Sequence, residues 1–399
     1  MADFIPSRLA LSSWQRSLLK LIERSWSIDA EGFVPSDQAR FLTGEATQAR
    51  RVWKFFKRIL VLFFLGQTRR ELTFVPPSAR RILWINLSAS SLGDSLMDLS
   101  SASLLSGREL HLLTSKKNAC LHAAGQTFHK VFSEEHPARL ENAFQAYDLV
   151  IVDAFTPRSL LPKVRISWKA PFVGMYGFLN GYEVHRTIYS YQRMRRLLGS
   201  SPHLSIQYKP HFRLSGHVNT PIIPRPYVCV VVGAEWEFRK YPFWAEVVKG
   251  LPSDLTVVLV GSNNGARDAA VITKECAGSI ILVGKCSLLE TVQIISQSSH
   301  LLAADGGLWH VGSALSIPSV ALFADCQLFD ALGRAVTRST EDIPAITLVT
   351  KRQVSEISPS SIIEAFNLLQ KRYGAARKLA ENSEASSINI ETTLSSRHS

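Results

Sequence analysis

An aspartate, two glycines and a histidine stand close together in Asp305-Gly306-Gly307-Leu308-Trp309-His310 of this 399-residue chain. An apolar run from Leu301 ends in Asp305, and another, Val320 to Phe323, follows the break at Pro318. The order reads as strand, glycine-rich turn, short helix (Val311 to Leu315) and strand. The polar groups then lie at the carboxyl end of the first strand, where open α/β sheets bind ligands. Free amides of such a turn, together with the positive end of a helix, favour a phosphate. Asp305 and His310 would flank it. The plainer alternative makes Asp305 a helix N-cap and His310 a packed side chain. Three further segments fit the same kind of site. NLSASSLGD, Asn86 to Asp94, is a serine-rich loop that follows an apolar run and ends on a carboxylate. GAEWEFRKYP, Gly233 to Pro242, brings Arg239 and Lys240 to a helix start, and Gly261-Ser262-Asn263-Asn264-Gly265 follows the next apolar run.

The elements that must position these residues come from the composition and the periodicity. With 46% hydrophobic and 20% charged residues, the chain reads as globular and long enough for two domains plus appendages. A net charge of +12 points to an anionic partner: nucleic acid, anionic lipid or phosphorylated sugar. Nucleic acid is the weakest of these, because no DNA- or RNA-binding motif accompanies the charge. The five cysteines lack C-x-x-C spacing and read as free thiols of a reducing cytoplasm, and Met1 to Trp26 shows no signal-peptide pattern.

Residues 1–79 read as a helical extension. Trp14, Leu18, Leu19, Ile22 and Trp26 recur at helical spacing, and RRVWKFFKRILVLFFL (Arg50 to Leu65) is amphipathic, with Val52, Phe55, Phe56, Ile59, Leu60, Phe63 and Phe64 on one face. Its uncharged run falls far short of the ~20 residues a bilayer span needs. A basic, aromatic-rich helix of this kind suits a membrane surface, and the competing reading docks it on the protein's own core. Residues 80–209 alternate apolar runs (Ile82–Leu87, Glu109–Leu113, Leu149–Val152, Pro171–Met175) with polar or helical stretches, as in parallel βαβ units. Residues 210–226, with four prolines, read as a linker. A second alternating unit fills 227–350, a closing helix (Pro359 to Tyr373) lies within 351–379, and 380–399 has the composition of a disordered tail.

In this order the segments resemble the heptosyltransferase-like glycosyltransferases, family 9, of bacterial lipopolysaccharide assembly, over roughly Arg81 to Phe323. S-S-L-G-D at Ser90–Asp94, K-x-P at Lys240–Pro242, L-V-G-x-x-S-L at Leu282–Leu288, D-G-G-x-x-H at Asp305–His310 and I-P-S-V-A-L-F at Ile317–Phe323 carry the resemblance. It implies an α/β GT-B fold, two Rossmann-like parallel-sheet domains facing a cleft, here with the helical extension added. It also implies an inverting, metal-independent transfer of a sugar, heptose among the candidates, from a nucleotide-diphosphate donor. The acceptor would be a lipopolysaccharide-type or other anionic glycan or glycolipid. No cofactor is expected beyond the donor substrate, and the expected place is the cytoplasmic face of the inner membrane.

Carried over by position, Asp94 matches the family's general base and Lys240 its diphosphate-neutralising lysine. Gly233, Arg239, Ser262, Asn263, Gly284, Asp305, Gly306, Gly307 and His310 fall in the donor-binding segments. Ser91, Gly93, Arg193 and Arg196 are the acceptor-side candidates. Each has a plainer alternative: a helix cap for Asp94, a solvated lysine for Lys240, a solvated basic face for the Arg186–Arg196 segment. The chain also departs from the pattern. Ala234, Glu235 and Gly306 stand where hydroxyl residues are usual, which deletes hydrogen bonds worth ~1.5–3 kcal/mol each to a charged group. A catalytically degenerate sugar-binding or scaffold protein is therefore a second reading. A GT-B epimerase is a third, disfavoured by Leu308, Trp309 and His310 after the turn.

Overall fold

The computed structural model describes residues 48–89, 91–135, 147–177, 186–200, 212–216, 218–324 and 344–373. The Trp14–Trp26 segment, Ser90 and the tail from Ala380 lie outside the described residues. Two compact units emerge, one up to Asn219 and the other chiefly from Thr220 onward.

In the first unit, β1 (Arg81–Asn86), β2 (Glu109–Thr114), β3 (Lys130–Ser133), β4 (Leu149–Ala154) and β5 (Phe172–Gly177) form one sheet in the order β3-β2-β1-β4-β5. Every pairing is parallel. Parallel strands require crossovers over the sheet faces. Helices α1 (Gln48–Phe64), α2 (Leu92–Asp98), α3 (Lys116–Ala123), α4 (Pro157–Ser167) and α5 (Arg186–Leu197) accompany them. Leu83, Ile85, Val150, Val152 and Phe172 pack with Leu62 of α1 and Leu160 of α4. The alternate residues Ile82, Trp84, Leu149, Ile151 and Val173 pack with Met194 and Leu197 of α5. With both faces covered, such strands read as unbroken apolar runs. The edge strand β3, only partly buried, carried no such run and was not expected from the sequence.

Strand order reverses between β1 and β4, and that switch point is where an α/β sheet opens a crevice. The NLSASSLGD loop leaves β1 there. Its start is fixed by Asp153 at the end of β4, whose carboxylate accepts the Ser88 backbone N–H at 2.5 Å and the Ser159 hydroxyl at 2.5 Å. Burial pushes the Asp153 carboxyl up, against the pull of those hydrogen bonds.

The second unit holds β6 (Tyr227–Val231), β7 (Thr256–Val260), β8 (Ile280–Ile281), β9 (His300–Ala304), β10 (Ser319–Ala324) and β11 (Ala345–Thr350), parallel in the order β11-β10-β9-β6-β7-β8. Helices α6 (Trp244–Lys249), α7 (Ala266–Glu275), α8 (Leu288–Gln297), α9 (Gly307–Ala314) and α10 (359–373) complete it. Val228, Val230, Leu259, Leu302 and Val320 pack with Trp244, Val247, Ile272, Ile362 and Phe366. β11 was not expected. Helix α9 begins at Gly307 rather than at Val311, so His310 belongs to its first turn instead of preceding it.

Helix α1 docks by a stripe other than the one its composition suggested. Leu62 is buried, Val61 and Leu65 pack beside it, and Arg58 donates to the Gly177 carbonyl at 2.8 Å. These four residues follow the i, i+3, i+4, i+7 spacing of one helix face. Burial lowers the Arg58 pKa to about 10, although Asp153 and Tyr189 oppose the shift. Trp53, Phe56, Leu60, Phe63 and Phe64 remain exposed, with Phe64 at 78%. Among the described residues no helix is long and apolar enough to cross a membrane.

Candidate active site

The carboxylate candidate of the first unit stands at the start of α2. Ser91 is the N-cap, and its hydroxyl accepts the Asp94 backbone N–H at 3.1 Å. Ser91, expected on the acceptor side, is thus engaged in capping, a role its residue type favours. Gly93 is buried inside the helix. The Asp94 carboxylate lies 3.3 Å from Arg186 of α5 and keeps 35% of its side chain exposed. The same guanidinium pairs at 2.5 Å with Asp98, a buried carboxylate that also accepts the Tyr176 hydroxyl.

Behind α2 a buried polar chain continues. The Ser95 hydroxyl donates to Asn86 Oδ1 at 2.8 Å and meets His122 Nε2 at 2.9 Å. Since the Ser95 proton is directed at Asn86, His122 must donate through Nε2, which fixes its tautomer. Burial pushes the His122 imidazole down to about 4. Ser95 is itself fully buried, so this arrangement braces the helix and is no nucleophile.

The other acceptor-side candidates lie on α5. Arg193 donates through Nε and Nη2 to the Gly174 carbonyl at 3.0 and 2.8 Å. Arg196 is partly buried. Burial raises the nearby Tyr189 phenol to about 12, against the charges of Arg193 and Arg196. The structure gathers Asp94 with Arg186, Asp98 and Tyr176, and it ties Arg193 to the backbone. In the sequence Arg186 reads only as the start of a basic segment, and Asp98 does not stand out. The signal was present: carboxylates at i and i+4 share a helix face and call for a cation.

In the second unit the candidates cluster at the carboxyl ends of the strands. Gly233 (φ +85°), Gly261 (φ +150°) and Gly284 (φ +68°) turn the chain after β6, β7 and β8. A Cβ on Gly233 would lie 2.7 Å from the backbone of Gly265, so the two loops touch through glycine. The Ser262 hydroxyl donates to Asn264 at 2.8 Å, and Asn264 donates to the Ala234 carbonyl at 3.0 Å. Asn263 packs where a side chain on Gly284 would stand. Ser262, Asn263 and Asn264 therefore knit the loops together.

Asp305 leaves β9 and meets Arg239 at 3.0 Å and His310 at 3.4 Å. His310 is buried on α9, in ring contact with Trp309. Gly306 is extended (φ 177°) and, having no side chain, provides no side-chain cap at the start of α9. Lys240 points elsewhere, 3.6 Å from Asp268 in the first turn of α7. Glu235, whose charge would oppose an anion, is exposed. Among the described residues no three His, Cys, Asp or Glu side chains gather where they could share a metal ion.

Comparison with known proteins matches residues 197–344 to glycosyltransferase family 9 (heptosyltransferase). No curated protein matches the chain. A family 9 glycosyltransferase from Veillonella parvula is similar at 15% identity with a TM-score of 0.62, over 75% of this chain and 100% of that one. Escherichia coli ADP-heptose LPS heptosyltransferase II is similar at 20% identity and TM-score 0.56, over 74% and 99%. The E. coli heptosyltransferase WaaC with ADP is similar at 16% identity and TM-score 0.54, over 72% and 99%. The fold is therefore of the GT-B class, with two parallel-sheet α/β units. The chain is a glycosyltransferase, and its similarity to family 9 covers residues 197–344. That stretch contains the Asp305 turn; Asp94 lies ahead of it.

Proposed function

We propose that the chain transfers a heptose-type sugar from a nucleotide diphosphate, ADP-heptose by preference, to a lipopolysaccharide-type or other anionic glycan acceptor. The observation that carries this reading is the Asp305-Gly306-Gly307 turn at the carboxyl end of β9, flanked by Arg239 and His310 and leading into the start of α9. Amides, a helix start and cations suit a diphosphate. The nucleotide choice draws on a similar enzyme solved with ADP and with ADP-2-deoxy-2-fluoro heptose.

The reaction is a single displacement with inversion. The acceptor hydroxyl bonds to the anomeric carbon as the bond from that carbon to the diphosphate oxygen breaks, and Asp94 takes the hydroxyl proton. Arg239 and the α9 amides meet the charge on the departing nucleotide, without a metal. The enzyme works from the cytoplasmic face of the inner membrane, held peripherally by the exposed aromatic ridge of α1. Single apolar residues on a surface are ordinary, but a ridge of five on one helix suits the interface of a bilayer.

Titrating the full chain with ADP-heptose and with UDP- and GDP-sugars tests the donor. ADP-heptose should bind most tightly and raise the melting temperature; a chain that binds none of them is no nucleotide-sugar enzyme. Replacing Phe63 and Phe64 by Ser should move the protein from anionic vesicles to the supernatant in co-sedimentation. Unchanged partition would remove α1 from the membrane.

A further inference from the structure

Arg186 reaches two carboxylates of one helix. Its Nε and Nη2 donate to Asp98 at 2.7 and 2.5 Å, while Nη1 stands 3.3 Å from Asp94. Asp94 and Asp98 are one helical turn apart on α2, so both project from the same face. Without a cation between them they would repel, and the buried one would have no counter-charge. Asp98 is further held by the Tyr176 hydroxyl and, at 3.4 Å, by the Asn86 amide. The Arg186 guanidinium lies over the Tyr176 ring, 5.3 Å from its centroid. Burial works against the Arg186 charge, but Asp98 and Tyr176 outweigh it and hold the guanidinium well above its ordinary range.

We infer that Asp98 and Arg186 are a positioning pair that sets the Asp94 carboxylate for proton transfer; the inference rests on the reading of Asp94 as the base. Proton abstraction needs the two heavy atoms within ~2.6–3.2 Å. A partly exposed aspartate at a helix start rotates freely unless something holds it. Arg186, itself gripped from the protein side by Asp98, holds it through Oδ1, and about a third of the Asp94 side chain stays exposed (35%). Asp98 has a second consequence. When Asp94 takes the proton, its attraction to Arg186 falls away, and a lone arginine would be left as an uncompensated, largely buried charge. The Asp98 carboxylate keeps that charge paired through the transfer. The pair touches no substrate and acts through Asp94.

The test uses the full chain, ADP-heptose as probe and water as acceptor. The water oxygen bonds to the anomeric carbon, the bond to the diphosphate breaks, the proton passes to Asp94 and ADP is released. Arg186→Lys keeps a charge but cannot span both carboxylates. It should slow ADP release by about tenfold or more with KM for ADP-heptose changed by less than about twofold, the pattern of a lost transition-state effect. Asp98→Asn should do the same and serves if the lysine variant fails to fold. On an Asp94→Asn background neither substitution should slow release further, because no carboxylate is left to position. Losses that multiply on that background, a raised KM at unchanged kcat, or unchanged rates in both variants would overturn the pair. A wild-type chain that neither binds ADP nor releases it from ADP-heptose refutes the donor reading instead, and the pair falls with it.

Discussion

Around Asp94 the site is shaped by side chains that arrive from far along the chain: Arg186 is 88 residues from Asp98 and Tyr176 is 78. Around Asp305 the surroundings are shaped by backbone: glycines at positive φ close the β6, β7 and β8 loops, and Gly306 leads into the first turn of α9. The first arrangement holds one carboxylate in place with buried charge. The second, on the proposed function, offers backbone to a diphosphate that comes and goes. A base must be held while its proton moves, whereas a leaving diphosphate must be cradled and then released. The two regions therefore fail differently under mutation.

The largest effect is expected at the side-chain-built site. Asp94→Asn should cut turnover by ~10²–10⁴-fold, the usual cost of losing general acid–base catalysis. ADP affinity, measured by titration on the same variant, should hardly change, since the donor candidates lie on other loops. A collapse of ADP affinity with normal turnover per bound donor would make Asp94 a binding residue and erase the contrast.

Acid should expose the buried network behind that site. Burial holds His122 down at about 4, against 6.5 for a free histidine. Between those values the unfolded chain takes up a proton that the folded chain refuses. Stability is therefore full above pH 6.5 and falls as pH drops toward 4, by up to ~3 kcal/mol from this residue. Urea unfolding at stepped pH should show the slope, and His122→Gln should flatten it. An equal slope in the variant would mean that another group carries it.

A smaller effect, of the opposite pattern, is expected from the backbone-built site. Gly233→Ala places a Cβ 2.7 Å from the backbone of Gly265 at a φ of +85°. Strain of this kind costs ~1–3 kcal/mol. ADP affinity should fall several-fold while hydrolysis per bound ADP-heptose stays near normal. A variant that binds ADP as well as the wild type would show that the β6 loop does not shape the donor site.

Much of this was legible in the sequence because the signals are local. Buried parallel strands read as apolar runs, and glycines after them mark turns that other residues adopt only with strain. The strands β1, β6, β7 and β9 and the loops that leave them followed from such signals. The partly exposed β3 and the outermost β11 lacked them. Helix α1 was recognised as amphipathic, yet its docking stripe was not, because Arg58 reads as a solvated charge until the Gly177 carbonyl meets it.

The sequence by itself determined most of the buried strands and the places where polar groups cluster at strand ends, since both depend on residues close together in the chain. Only the tertiary structure decided which charges meet. Arg239, not its neighbour Lys240, reaches Asp305, and Lys240 turns to Asp268 instead. Arg186, rather than Arg193 or Arg196, reaches Asp94. An ion pair depends on how helices and loops distant in the chain are set against a common sheet. One residue of helix register turns a side chain by about 100°, from one partner toward another.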